Sequence, residues 1–330
     1  ILQEEDMARI KDVAKEAGVA PSTVSLVLNK KGYVSEETRL KVEAAVEKLN
    51  YIPSEMARNL SLQRTNIIGV IVPSISHPFF SELAEALETE LYSLGYKMML
   101  CCTKYKENSE RKFIEMLKRQ TMDGIIMGAH SLDVSIYEGL KEPVIAFDRY
   151  LNDNIPIVHC DHCIGGRLAA EAFLQHDCHH VIGIEGYQGV HTPANDYHRV
   201  FHETMRQHGV TTDILEMPWN AFTYEDFLAT AEKLFKEYRD IDGIFGSDMA
   251  IASCMRVAAQ RGYRIPRDIK MVAYDGTGMT QTGIQPITAV RQPIENLAAI
   301  AAQKVVSKVK GTKDNLPWVL QPRLLKGETC

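Results

Sequence analysis

Residues Ile10 to Asn29 read IKDVAKEAGVAPSTVSLVLN. Ile10, Val13, Ala14 and Ala17 fall at i, i+3, i+4 and i+7, one apolar helical stripe, and Gly18 can supply the positive φ that ends a helix. A second helix opens at once. Pro21 suits a first turn, where no N–H is needed, and Val24, Val27 and Leu28 turn inward at helical spacing. Two short helices joined by a tight Gly-containing turn make a helix-turn-helix pattern, whose second helix enters the major groove of DNA. On spacing alone, a helical hairpin without any partner competes with that reading.

Outward from this stretch, Asn29 to Tyr33 form a polar loop containing Gly32. Ser35 is a natural N-cap, Glu36 and Glu37 complement the helix dipole, and Leu40, Val42, Ala45, Val46 and Leu49 stripe a third helix. The next segment, Pro53 to Leu60, is too short to be a stable helix alone in water.

The run DVAKEAGVAPSTVSLVLN, followed by Val34 to Arg39, LNYIP ending at Pro53 and ARNL ending at Leu60, resembles the headpiece of the lactose-repressor family of bacterial transcription regulators. The resemblance implies operator-DNA contacts from Pro21, Ser22, Thr23, Ser25, Leu26 and Asn29. It also implies that Pro53 to Leu60 is a hinge helix that orders on DNA and packs against a second copy. Ala57 matches the small residue at that helix contact, and Leu60 matches the leucine that wedges into the minor groove. An apolar wedge between base steps costs a few kcal/mol of unstacking and gains a bent, wrapped site. The common arginine of the family's recognition helix is Leu26 here, so the operator's bases do not carry over.

The chain has 330 residues, 45% of them hydrophobic, which exceeds what one core usually supports and predicts two or three domains. The net charge of −6 argues against a protein that coats nucleic acid along its length. Met7 to Asn66, however, holds ten Lys plus Arg against seven Asp plus Glu, a net of +3. A single weakly basic headpiece would hold DNA poorly, and pairing would double its phosphate contacts. No run of eighteen apolar residues and no basic-then-hydrophobic N-terminus occurs, so a cytoplasmic protein without membrane association is expected.

Seven cysteines without framework spacing fit a reducing compartment. Cys160-Asp161-His162-Cys163 and Cys178-His179-His180 have the chemistry of zinc ligands. The stronger reading ends a strand at Cys160, starts a helix at Cys163 and puts Cys178 to His180 in a turn, with no metal and no cofactor.

From Ile67 (IIGVIV) onward, apolar strand-type runs alternate with helical stretches. The expected strands begin at Ile67, Tyr96, Gly124, Val144, Ile157, Val181, Gly243, Ile269 and Thr288, with helices between most of them. Such alternation means parallel sheets with helices on both faces. Its length calls for two Rossmann-like lobes. The expected division is a headpiece at 7–52, a hinge and linker at 53–65, a first lobe at 66–160 plus 292–315, a second lobe at 161–291, and a C-terminal segment at 316–330. The fold class is therefore α/β: a three-helix headpiece and hinge helix, then a two-lobed domain like that of periplasmic binding proteins.

Ligands of such sheets bind beyond the carboxyl ends of the strands, which two facing lobes turn into a cleft. Neither G-x-G-x-x-G nor a P-loop motif occurs, which removes the main phosphate cradles. Just past strand ends lie Asp148-Arg149, Ser247-Asp248 and Asp275, with Arg199 in the helix after the Val181 strand. Carboxylates accept, Arg donates as a fork and rings offer an apolar face, which is chemistry for vicinal sugar hydroxyls. Each Asp also stands before a helix, so capping competes with ligand binding. By resemblance, Asp148, Arg199, Asp275 and Gln292 match effector or cleft positions, Ser247-Asp248 an Asn-Asp pair, and Trp219 a stacking ring. Ser74, His77, Phe79 and Arg149 complete the candidates.

The resemblance spans about Arg9 to Leu325 and looks closest to sucrose-operon repressors of Gram-positive bacteria, notably in PVIAFDR, NIPIV and AYDGT. It implies a homodimeric repressor whose grip on operator DNA is set by a sugar or sugar phosphate between the lobes. A leucine-heptad tail for tetramers is not seen. Competing classes are a solute-binding protein of a sugar transport system, disfavoured by the headpiece, and a global carbon-catabolite regulator with a protein co-regulator. An enzyme using Asp148 and Asp275 as a carboxylate pair would lack a nucleophile, metal cluster or phosphate loop around them.

Overall fold

The computed structural model describes residues 8–29, 32–52, 64–104, 109–129 and 131–330. The chain divides into two units, residues 1–65 and 66–330. In the first, α1 (Ile10–Ala17), α2 (Pro21–Leu28) and α3 (Glu36–Lys48) enclose a small core of Val13, Ala14, Val24, Val42 and Ala45. Gly18 adopts φ 66° and ends α1, its successor Val19 donating N–H to the Ala14 carbonyl at 3.0 Å. That left-handed C-cap turns the chain directly into α2. Ser35 caps α3 through its Oγ, and Lys48 on α3 pairs with Glu16 on α1 at 2.6 Å. The hinge positions Ala57 and Leu60 lie outside the described residues.

The second unit contains two six-stranded sheets. One has the order β11 (Val319–Leu320), β5 (Ile157–Cys160), β4 (Val144–Phe147), β3 (Gly124–Met127), β1 (Ile67–Val72), β2 (Lys97–Cys102), all parallel. The other runs β12 (Arg323–Leu325), β10 (Thr288–Arg291), β9 (Lys270–Asp275), β8 (Gly243–Ser247), β6 (His180–Glu185), β7 (Thr211–Glu216), parallel except for β12. Strands such as IIGVIV are apolar on both faces because helices cover both. In the first lobe α4 (Pro78–Ser93) and α11 (Ile294–Lys310) cover one face, α5 (Ser109–Lys118) and the segment through Tyr137 and Ile155 the other. In the second, α8 (Tyr224–Glu237) and α9 (Asp248–Gln260) lie opposite α6 (His162–Leu174) and α7 (Asn195–Gln207).

The chain crosses between lobes after β5, after β10 and between β11 and β12. Residues 316–330 thus add a strand to each sheet, and Thr329 and Cys330 bond to Thr288 of the second lobe. Elements that escape the sequence reading are β7, the short helix α10 (Met279–Thr282), the strands β11 and β12, and the 3-10 turn Ser135–Tyr137. Cys160 is the last residue of β5 and Cys163 lies in α6, while His180 already begins β6. Among the described residues no cluster of three metal-ligating side chains occurs, and no helix is long and apolar enough to cross a membrane.

Candidate functional site

In the headpiece unit, Ser22, Ser25, Leu26 and Asn29 are spaced i, i+3, i+4 and i+7 along α2, opposite the buried Val24. Pro21, Ser22 and Leu26 are exposed, while Thr23, Ser25 and Asn29 are half-buried. The Asn29 amide donates to the Ser25 carbonyl at 2.9 Å and to its Oγ at 3.2 Å, fixing the end of the helix. This polar face with one exposed leucine is a surface a groove could accept.

In the two-lobed unit, a cavity of about 170 Å³ opens at the carboxyl ends of β6, β7 and β8. Its walls include five aromatic side chains, Tyr187, Tyr197, Trp219, Phe222 and Phe227 from the second lobe, with His77 reaching in from the first. Polar atoms come from Thr192, Asn195, His198, Asn220 and Ser247. Ser247 stands at the N-cap of α9 but makes no side-chain cap bond. His77 packs edge-on against Phe222 and tilted against Phe227, and its buried Nδ1 has no hydrogen-bond partner. Burial pushes the imidazoles of His77 and His198 down to about 4, so both are neutral near pH 7.

Behind the cavity a network joins the lobes. Asp148, at the end of β4, accepts from His162 Nε2 of α6 at 2.8 Å, and His162 Nδ1 lies 2.8 Å from the Tyr274 hydroxyl. The protonated Tyr274 phenol donates to Nδ1, which leaves the N–H of the imidazole on Nε2, facing Asp148. Burial, then the neighbouring thiol of Cys160 and the ring of Tyr197, hold the Tyr274 phenol well above its ordinary range, consistent with a donor. Tyr274 stacks on Tyr197 at 3.7 Å between centroids, and Tyr197 lines the cavity. Gly166 makes this arrangement possible: a Cβ there would fall 2.4 Å from the Tyr197 carbonyl oxygen, so α6 approaches α7 only without one. Further inter-lobe links are Glu82 with the Gly278 N–H at 2.7 Å, Lys104 with Asp226 at 3.1 Å, and the Tyr150 N–H with the His191 carbonyl at 3.3 Å.

Asp148 and Asp275 both leave their strands at positive φ, 49° and 110°. Non-glycine residues pay for such angles, and the cost falls where a side chain must be aimed. Gln292 Nε2 donates to Asp275 Oδ1 at 2.9 Å. Burial, and then the nearby Asp248, push the Asp275 carboxyl well above its usual range. Asp248 is itself pushed up to about 7 by burial, against the pull of its hydrogen bonds to Thr277 and Gly276.

Several expected ligands have partners within the fold. Asp248 is fully buried and accepts from the N–H groups of Gly276 and Thr277 and from Thr277 Oγ1, which pins the turn after β9. Arg149 is buried against Glu110 Oε1 at 3.1 Å and the carbonyls of Ala129 and Ser131, and Tyr137 donates to the same Glu110. It lines a second hollow beside Tyr150 and His191, not the aromatic cavity. Phe79 packs in the first lobe's core against Phe80 and Phe147. Ser74 accepts from the Ser76 N–H as a turn residue. Arg199 is half exposed and held by Asp196 at 2.8 Å and Glu203 at 3.1 Å, away from the cavity that its neighbours Tyr197 and His198 line.

Of the expected residues, His77, Trp219 and Ser247 line the cavity, while Asp148, Asp275 and Gln292 lie at the strand ends behind it. Sequence reasoning missed Tyr187, Tyr197, His198 and Phe222 at the wall, and His162 behind it. A signal existed for one of them, Tyr197. Tyr197 and Phe201 are four apart and mark the inward face of α7, which Arg199 cannot share.

Residues 9–54 match the model of bacterial regulatory proteins, lacI family, and residues 170–330 that of the periplasmic binding protein-like domain. The chain is similar to the sucrose operon repressor of Streptococcus mutans, 38% identical over 98% of this chain and 99% of that one. The ribose operon repressor of Halalkalibacterium halodurans is 37% identical over 98% and 97%. Among solved structures, the lac repressor dimer bound to operator and the anti-inducer ONPF superposes with a TM-score of 0.85 at 22% identity, covering 98% of each chain.

Proposed function

The chain belongs to the lacI family of bacterial regulatory proteins, and on that premise we propose that it represses a carbohydrate-utilisation operon, as a homodimer whose operator affinity is set by a sugar bound between its lobes. In this reading residues 7–52 read the operator, 53–65 form the hinge, and the lobes at 66–160 with 292–315 and at 161–291 hold the effector. Family membership speaks for a regulator and not an enzyme. Sucrose is the favoured class of effector, because two lines of similarity, the sequence look and a relative named as a sucrose operon repressor, point the same way.

The observation that carries the reading is the bond from Asp148 to His162, which crosses from one lobe to the other and continues through Tyr274 to Tyr197 at the cavity wall. A ligand seated against Tyr197 and Trp219 would therefore alter the same contacts that set how the lobes meet. Differential affinity for two lobe arrangements is what allows a small molecule to move a DNA-binding equilibrium. The experiment is a DNA-binding assay on the full chain, using a near-palindromic duplex from upstream of the operon, with and without sucrose. Binding that is salt-sensitive and changed at least severalfold by the sugar supports the reading. Binding indifferent to every sugar offered contradicts it.

A further inference from the structure

The aromatic cavity is lined by eighteen residues, and among these described residues there is no Lys or Arg. Three basic side chains named above are already committed. Arg149 is buried against Glu110 and two carbonyls, Arg199 is held outside by Asp196 and Glu203, and Lys104 pairs with Asp226. His77 and His198 do line the cavity, but burial keeps both neutral near pH 7, so neither supplies a positive charge.

Helix N-termini would be the remaining anion binders. Three that reach the cavity carry their own acid in the first turn, Asp196 in α7, Asp248 in α9, and Glu225 and Asp226 in α8, while α4, whose N-cap is His77, carries none but starts with Pro78, which has no N–H to offer. The carboxyl groups of Asp148, Glu185, Asp248 and Asp275 surround Tyr197, and together with burial they hold its phenol in the protonated form. A dianionic phosphate brought there would lose its hydration, with no Lys or Arg at the cavity wall to replace it. Rings flanked by neutral hydroxyl, amide and imidazole groups instead suit the apolar face and hydroxyl rim of an uncharged sugar.

We propose that the effector is an uncharged sugar and that its phosphate ester is rejected on charge. This rests on the reading of the cavity as the effector site. It implies that the sugar recognised is one that has not passed through a phosphorylating step, or has been released from its ester by hydrolysis.

The test is calorimetry on the full chain with two matched pairs, sucrose against sucrose 6-phosphate and ribose against ribose 5-phosphate. At least one neutral sugar should bind, and its ester should bind at least tenfold more weakly. An ester that binds as well as or better than its parent overturns the charge inference and leaves the sugar-effector reading standing. Failure of both pairs to bind in either form overturns the reading and the inference together. Gly186→Lys provides a second arm, because Gly186 lines the cavity and a Cβ there meets nothing within 4 Å. The added cation should narrow the gap between ester and parent at least severalfold. An unchanged gap in a folded variant would show that charge is not what separates them.

Discussion

His162 Nε2 donates to Asp148 Oδ1 across the lobe boundary at 2.8 Å, with His162 almost fully buried and Asp148 mostly so. The same imidazole accepts from Tyr274, so one histidine couples a strand end of the first lobe to a phenol at the heart of the second. Removing either end leaves a buried polar group unpaired, at about 1 to 3 kcal/mol. His162→Phe is accordingly expected to shift sugar affinity by tenfold or more while the headpiece still binds DNA. Calorimetry for the sugar and a gel-shift titration for DNA check the two halves.

Trp219 and Tyr197 offer their faces to the cavity from opposite kinds of site, an exposed loop and a packed helix. Trp219→Ala should weaken the sugar by about 1 to 3 kcal/mol with little change in the thermal midpoint, because the ring is 46% exposed without ligand. Tyr197→Ala should cost both affinity and stability, since its ring also stacks on Tyr274. Equal stability losses in the two variants would show that Trp219 has a packing role instead.

Arg199 is predicted to be dispensable for the effector. Its side chain is 53% exposed and its two ion pairs lie on the helix surface, where such pairs contribute at most about 1 kcal/mol. Arg199→Ala should leave sugar affinity within about twofold of the parent, given so small a term. A loss of tenfold or more would return Arg199 to the site. Arg149→Ala should behave oppositely, destabilising the protein by roughly 3 to 5 kcal/mol because it strands the buried Glu110, and a denaturant titration reads this directly.

His77 and His198 carry a pH signature. Their folded values lie near 4 against 6.5 when exposed, so below about pH 6.5 the unfolded chain takes up protons that the folded one refuses. Stability from these groups is therefore complete above that pH and declines as pH falls toward 4. Asp248, pushed up to about 7, contributes in the opposite sense over much of the same range. The clean measurement is the stability difference between the parent and His77→Gln from pH 7 to pH 4.5. The parent should lose more, and parallel curves would mean that His77 is protonated in the fold.

Much of this was legible in the sequence because short continuous apolar runs such as IIGVIV and VIAF, rich in β-branched residues and bounded by Pro, Asp or Ser, favour strands covered on both faces. β7 was not legible: in TTDILE only Leu215 is buried, so an edge strand offers almost no apolar pattern. β11 and β12, of two and three residues, are made by what they pair with and not by their own composition. The placement of Asp148 and Asp275 at strand ends was legible because each directly follows or closes an apolar run. For Arg199 and Asp248 the charge type was visible in the sequence and the direction was not. Helical phase turns Arg199 outward, and a neighbouring turn takes both oxygens of Asp248. His162 drew attention as a zinc ligand in Cys-Asp-His-Cys, yet its partners, Asp148 and Tyr274, are 14 and 112 residues away.

If sugar and operator bind to one coupled equilibrium, as proposed, linkage makes the coupling measurable in a single titration series. Sugar affinity should be determined by calorimetry for the full chain alone and for the same chain saturated with operator duplex. The two affinities should differ by the factor by which saturating sugar changes operator affinity, expected to be roughly 5- to 150-fold for a regulatory coupling. Identical sugar affinities with and without bound operator would contradict the account.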